Sequence, residues 1–230
     1  MKKHRIIGAL AFVVGAWAAT SPAAGQSSPD TVLLVVRHGE AYSNLPNLPD
    51  MPREKLDSLT PKGVADATAA GGVSKRHPVA TVVASPTGRT RETAAIIARE
   101  VGLVGGTAED AAFASVKMGT MPDGKTSTWD WRFAEWKAER DPRPAGGESL
   151  EDATARAVRT VQSLAARHPG KAIVIVTHSD IVAALIGHAV GTPIGQRYEK
   201  HGVPIGSVSE ISISGDGVWK LVRQGGRPGS

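Results

Sequence analysis

Four residues, Arg37-His38-Gly39-Glu40, follow directly on the apolar run Thr31-Val32-Leu33-Leu34-Val35-Val36. A run of β-branched residues and leucine of this length predicts a buried strand, so the four sit where strand passes into loop. In open α/β sheets that edge is where ligands bind. Arg37 supplies a permanently charged, two-pronged donor for oxyanions, and His38 an imidazole able to act as nucleophile, acid or base. Gly39 leaves room for close backbone approach. Phosphoryl transfer through a phosphohistidine needs these groups.

Two further apolar runs end in the same way. Ala172-Ile173-Val174-Ile175-Val176-Thr177 delivers His178 to its carboxyl end, followed by Ser179 and a helix pattern from Asp180 to Val190. Val79 to Ala84 leads into Ser85-Pro86-Thr87-Gly88-Arg89-Thr90. If the three strands are parallel neighbours, Arg37, His38, Arg89 and His178 converge on one pocket holding two cations and two imidazoles. Ser179, expected at the N-cap of the following helix, adds free N–H groups that favour an anion.

The chain resembles the histidine phosphatase superfamily, with its phosphoglycerate-mutase-like fold, through five ordered matches. These are Arg37-His38-Gly39-Glu40 with Asn44, Leu59-Thr60-Pro61-Lys62-Gly63, Ser85-Pro86 with Arg89 and Thr93-Ala94, Gly147-Glu148-Ser149, and Val176-Thr177-His178. The resemblance spans residues 31 to 214 and implies that His38 is the phosphorylated nucleophile. It implies too that Arg37 and Arg89 hold the phosphoryl oxygens and that His178 contacts the same phosphoryl group. Asn44 and Glu148 match stretches that lie near the pocket in the family, although a carboxylate at a helix start, as Glu148 is, also simply favours the dipole.

The residue types suit that chemistry. An imidazole attacks phosphorus only when neutral, and two guanidiniums disfavour the imidazolium while gripping a phosphate dianion. A covalent intermediate on His38 splits one hard step into two. The arginines stabilise charge on the equatorial oxygens, so no cofactor or metal is expected.

In one respect the chain departs from the family. Active relatives carry a glutamate proton donor about two dozen residues beyond the second arginine, and in that frame Phe113-Ala114-Ser115-Val116-Lys117-Met118-Gly119 has Ser115 at the glutamate position. A serine has no proton of suitable pKa, so good leaving groups are expected to be favoured unless another acid serves. Glu109, Asp110 and Asp123 are nearby substitutes.

The elements that must position these groups are well punctuated. Thr60-Pro61 and Ser85-Pro86 each place a capping residue before proline, predicting helices over about Pro61 to Arg76 and Thr87 to Val101. Ser149 with Asp152 forms a capping box opening a helix with Leu150, Ala157, Val161 and Leu164 on its apolar face, ending near His168-Pro169. Val208 to Ile213 and Val218 to Val222 flank Gly215-Asp216-Gly217, a hairpin signal. The alternation predicts a three-layer α/β/α sandwich with a mostly parallel central sheet and an antiparallel edge hairpin. Leu103 to Gly146 is the least regular part, expected to roof the pocket, and holds Trp129, Trp131 and Trp136. Those rings are expected to be packing in the main, with an apolar wall for an organic substrate as the alternative.

Lys2, Lys3 and Arg5 precede an uncharged stretch of 14 residues, Ile6 to Ala19, and the small residues Ser21-Pro22-Ala23-Ala24-Gly25. That layout predicts a signal peptide over residues 1–25 and a periplasmic or secreted protein, an uncleaved anchor being the alternative. The stretch is short for a membrane span of about 20 residues. The chain has 27 Lys and Arg against 22 Asp and Glu; without the three leading cations the balance is 24 against 22, or +2. No clustered basic stripe marks a nucleic-acid partner. The chain has no cysteine, which excludes disulfides and thiolate chemistry. One phosphatase domain is expected over residues 31–223, with a disordered tail over 224–230.

Gly119-Thr120-Met121-Pro122-Asp123-Gly124-Lys125-Thr126 matches the P-loop pattern. A P-loop needs a buried strand before it and a helix after it, and neither is predicted here. His77, His168, His188 and His201 have the plain readings of helix ends, helix surface and loop. The sequence therefore predicts an exported phosphatase acting on a small phosphorylated substrate through His38. Its alternatives are a phosphoryl-binding protein that has lost catalysis and a phosphoglycerate-mutase-type phosphotransferase.

Overall fold

The computed structural model describes residues 28–226. The expected signal segment, residues 1–25, lies outside the described residues, as do the last four residues of the expected tail. Gln224 and Gly225 are held: Gln224 Oε1 pairs with His201 Nδ1 at 3.0 Å, and Gly225 N donates to Ser209 Oγ at 2.9 Å.

Six strands form one sheet. In chain order they are β1 (Thr31–Arg37), β2 (Val79–Ala84), β3 (Ala108–Glu109), β4 (Ala172–Thr177), β5 (Val208–Ile213) and β6 (Trp219–Arg223). The helices are α1 (Arg53–Leu56), α2 (Pro61–Ser74), α3 (Gly88–Glu100), α4 (Trp129–Lys137), α5 (Leu150–Arg167), α6 (Ser179–Ala189) and α7 (Arg197–His201). The sheet order is β3-β2-β4-β1-β5-β6, with β3, β2, β4 and β1 parallel and β5 and β6 antiparallel at one edge. The expected parallel sheet with an edge hairpin is present.

Successive side chains on a strand face opposite ways, and both faces of this sheet are covered. Leu33 and Val35 of β1, with Ile173 and Ile175 of β4, pack against Ala157 and Val161 of α5 and Ile181 and Leu185 of α6. Leu34 and Val36, with Val174 and Val176, pack against Ala70 and Val73 of α2 and Ala94 and Ile97 of α3. Two-sided burial is why β1 and β4 read as unbroken apolar runs.

Thr60 caps α2 as expected, its hydroxyl accepting from Gly63 N at 3.0 Å. Ser149 and Asp152 form the expected reciprocal box at the start of α5. Two caps differ by one or two residues from those expected. Helix α3 begins at Gly88 with Thr87 at its N-cap, not at Ser85-Pro86, and His178 rather than Ser179 occupies the N-cap of α6.

The segment resembling a P-loop is a small turn. Thr120 bridges Thr126, Gly124 N bonds Met121 O at 2.9 Å, and Lys125 pairs with the exposed Asp123 at 3.4 Å. Neither a preceding buried strand nor a helix opened by the lysine is present. No described helix is long and apolar enough to cross a membrane.

Candidate active site

The strand registers determine the convergence. Arg37 at the end of β1 lies beside Thr177 of β4, and Ala84 of β2 lies beside Val176. The next residues along the three strands, His38, His178 and Ser85, therefore emerge side by side. His38 N bonds Thr177 O at 3.0 Å and Ser85 N bonds Val176 O at 2.9 Å, which extends the ladder to the site itself. Arg89 follows from the second residue of α3.

Arg37, His38, Asn44, Arg89, His178 and Ser179 line one cleft of about 250 Å³, joined by Ser115, Trp129, Phe133 and Asp180. A larger cavity, about 500 Å³, lies at the amino ends of β1 and β4 near Thr31 and Pro169, and its lining has no arginine, lysine or histidine. The chemistry belongs to the smaller cleft.

The two imidazoles are nearly inaccessible, each 4% exposed, with ring centroids 5.4 Å apart. Arg89 connects them: its Nε donates to His38 Nε2 at 3.2 Å and its terminal nitrogen to His178 Nδ1 at 3.3 Å. His38 Nδ1 lies 2.8 Å from Gly39 O, an acceptor only, so Nδ1 carries the proton and Nε2 the lone pair. His178 has the opposite tautomer, its Nε2–H donating to Ser85 Oγ at 2.8 Å.

Burial lowers the His38 pKa to about 3, with Arg89 and Arg37 adding to the effect. Burial, His38 and both arginines likewise push His178 well below its ordinary value. Both rings are therefore neutral near pH 7, the state that a nucleophilic nitrogen needs. Arg37 Nη1 donates to Val203 O at 2.7 Å, while its buried Nε has no partner. Burial lowers the Arg37 pKa, but a guanidinium stays charged. A cleft with two guanidiniums and an unpartnered buried donor is built for an oxyanion.

A second layer holds these groups. Asp57 accepts from Arg89 Nη1 and from Gly88 N, fixing the guanidinium at the start of α3. Thr93 Oγ1 accepts from Gly39 N at 3.0 Å and donates to Arg89 O at 2.7 Å, joining the loop after β1 to α3. Asn44 Oδ1 is used locally by Ala41 N at 2.9 Å.

The residues expected from sequence divide clearly. His38, Arg37, Arg89, His178, Asn44 and Ser179 are brought together. Glu148 is not: its carboxylate takes Arg156 Nε at 3.0 Å and Lys117 N at 3.0 Å, away from the cleft. Burial opposes its ionisation, but the Arg156 bonds win and its pKa is lowered. Of the three tryptophans, Trp136 is buried packing, Trp131 lies under the Arg132 guanidinium, and Trp129 lines the cleft. Phe133 stacks on Trp129 (centroids 5.6 Å) and on Tyr198 (4.8 Å), so the segment before α5 does roof part of the cleft. Sequence reasoning missed Asp57, Asp180, Phe133 and Tyr198, none of which stands in a recognisable local pattern. Ser85, a capping residue by its place before Pro86, instead turns its hydroxyl to His178.

The profile of the histidine phosphatase superfamily (branch 1) matches residues 33–225. The chain belongs to this family. A 2,3-bisphosphoglycerate-dependent phosphoglycerate mutase from Methylobacterium radiotolerans is 31% identical over 167 residues, covering 68% of this chain and 78% of the relative. The corresponding enzyme of Beijerinckia indica is 32% identical over 68% and 80%. Bacillus stearothermophilus YhfR superposes with a TM-score of 0.63 at 26% identity, over 84% of this chain and 96% of that one. A mycobacterial glucosyl-3-phosphoglycerate phosphatase shares the fold, with a TM-score of 0.64 at 24% identity over 84% and 98%. These sequence relatives are mutases, and the phosphatase shares the fold.

Proposed function

We propose that this histidine phosphatase family member is an exported enzyme that hydrolyses small phosphate monoesters through a phosphohistidine on His38 Nε2. One observation carries the reading: a neutral His38 Nε2 lies 3.2 Å from the Arg89 guanidinium, in a cleft shared with Arg37 and His178. Arg37 and Arg89 draw the phosphoryl group in, and the lone pair of Nε2 attacks phosphorus in line with the departing oxygen. Water then attacks the phosphohistidine, releasing phosphate. Export rests on the residue pattern of segment 1–25.

Hydrolysis is favoured over mutase chemistry by the cleft's composition. A bisphosphorylated substrate brings a second strong anion, and the cations lining this cleft are Arg37 and Arg89, both committed to one phosphoryl site. Trp129 and Phe133 offer an apolar wall instead. A phosphoryl-binding protein without turnover is the other reading, favoured by Ser115 at the donor position.

Brief reaction with a labelled phosphate ester tests the mechanism. The expected product carries an acid-labile, base-stable label on Nε2 of His38, and His38→Ala abolishes turnover. Label on a serine or aspartate, or undiminished turnover in His38→Ala, overturns it. Phosphate binding without turnover of any ester establishes the binding reading.

A further inference from the structure

A departing alkoxide needs a proton, and the three acids nearest in sequence to Ser115 are engaged elsewhere. Glu109 pairs with Arg91 at 2.9 Å on the surface. Asp110 caps the turn after β3 through Ala112 N at 2.7 Å, and Asp123 bonds Lys125 N at 3.1 Å in its exposed turn. None of them lines the cleft.

The one carboxyl lining it, among the described residues, is Asp180, in the first turn of α6 and two residues past His178. It is 1% exposed. Its Oδ2 takes the Val116 amide at 2.8 Å, and its Oδ1 lies 3.2 Å from Ser115 Oγ. Ser115 is only half-buried and lines the same cleft, so its hydroxyl is the accessible end of the pair. Burial raises the Asp180 pKa, outweighing the amide and hydroxyl bonds that favour the carboxylate. Arg37 and Arg132 are the cations it faces.

We propose that Asp180 and Ser115 together form a proton relay serving the leaving group, with Ser115 touching the ester oxygen and Asp180 acting through it. The proposal rests on the phosphohistidine reading. As the N–P bond to His38 forms and the P–O ester bond breaks, Ser115 Oγ–H passes its proton to the ester oxygen. Ser115 Oγ in turn takes the proton of the Asp180 carboxyl, which becomes a carboxylate. The phosphorylated imidazole carries the matching positive charge. In the second half, water attacks phosphorus and gives a proton to Ser115 Oγ, whose own proton returns to Asp180. The N–P bond breaks, and His38 is again neutral. A serine alone cannot be the acid, but a serine backed by a protonated carboxyl can conduct one.

The test is the dependence of kcat/KM on leaving-group pKa, measured with aryl and alkyl phosphates on the full protein and its variants. The unaltered protein is expected to show a shallow dependence. Asp180→Asn and Ser115→Ala should each steepen it, lowering alkyl phosphate turnover by at least about 100-fold while an aryl phosphate with an acidic leaving group loses less than about fivefold. The double variant should be no worse than either single one, and Ser115→Thr, which keeps the hydroxyl, should retain the shallow slope. Equal losses for all leaving groups would assign Asp180 a purely structural role in holding Val116, and an unchanged slope in Ser115→Ala would overturn the relay. Because Ser115 is half-buried, its variants decide the matter even if Asp180→Asn fails to fold. His38→Ala in the same assay separates the two readings. Turnover that survives it overturns the phosphohistidine and the relay together, whereas His38-dependent turnover with unaltered slopes overturns the relay alone.

Discussion

Arg89 Nε donates to His38 Nε2 across 3.2 Å, so the ring nitrogen facing the guanidinium carries a lone pair. The Gly39 carbonyl, 2.8 Å from Nδ1, enforces the same tautomer from the other side of the ring. The guanidinium thus does two things with one placement. It adds charge repulsion to the burial that already holds the imidazole neutral, and on the proposed mechanism it stands where phosphoryl oxygens arrive.

Removing that guanidinium should be severe. Arg89→Ala is expected to lower kcat/KM by at least about 100-fold, the size of a main electrostatic stabiliser. Asp57→Asn leaves Arg89 charged but removes a charge-assisted bond worth about 1.5 to 3 kcal/mol, so a loss of roughly tenfold or more in kcat is expected. Steady-state kinetics on one aryl phosphate decides both; an Arg89→Ala loss below about tenfold removes Arg89 from the phosphoryl site.

The aromatic roof is expected to bear on substrate preference. Phe133 stacks on both Trp129 and Tyr198 and borders the cleft. Phe133→Ala should raise KM for aryl phosphates about tenfold, since an aromatic pair contributes about 0.5–1.5 kcal/mol beyond area burial. A small alkyl phosphate that cannot reach the roof should be unaffected. Equal changes for both substrates would show that Phe133 only packs.

Close backbone approach explains the glycines of the matched motifs. A Cβ on Gly63 would come within 2.0 Å of the Glu40 carbonyl oxygen, and one on Gly39 within 2.4 Å of the Gly63 carbonyl oxygen. Gly63→Ala should therefore cost about 1–3 kcal/mol and push the loop after β1 away from α2. Gly72, in the same helix with nothing within 4 Å of its Cβ position, is the control. Gly72→Ala should leave stability unchanged or raise it by up to about 1 kcal/mol. Thermal unfolding of the two variants is the measurement.

The strands carrying the site were legible because burial on both faces leaves β1 and β4, and the buried second half of β2, as apolar runs that end at chemistry-bearing residues. Their order in the sheet is a tertiary fact, but the regularity of the alternation was enough to predict convergence of Arg37, His38, Arg89 and His178. What stayed hidden depends on partners distant in sequence. Asp57 matters only because Arg89 lies 32 residues ahead, and Asp180 only because the loop at Ser115 folds over α6. The two-residue β3 is exposed and has no pattern to read. Helix α4 mixes aromatic and charged residues without a clear apolar face, and Glu148 was drawn off by Arg156, which nothing near it in sequence announces.

Export makes its own prediction. Removal of the segment carrying Lys2, Lys3, Arg5 and the uncharged stretch should leave a mature N-terminus between Ala24 and Ser27. N-terminal sequencing of the protein from its producing cell decides this, and an intact Met1 in a soluble fraction refutes it.

The neutral imidazoles should make the fold acid-labile in a defined window. Folded His38 has a pKa of about 3, against 6.5 for the free side chain, and His178 is shifted the same way. Between those pH values the unfolded chain binds protons that the folded protein refuses, so stability falls as pH drops through 6.5 toward 3 and is fully present above 6.5. His38 contributes a slope of up to about 1.4 kcal/mol per pH unit in that range, and His178 adds to it with the same sign. Denaturant unfolding at successive pH values should show this slope, and His38→Gln should reduce it. Imidazole NMR should find His38 neutral at pH 5 in the folded protein. In Arg89→Ala, which removes a cation facing both rings, their pKa values should rise. A folded His38 that titrates near 6.5 would remove the electrostatic basis for a nucleophile held ready by Arg89.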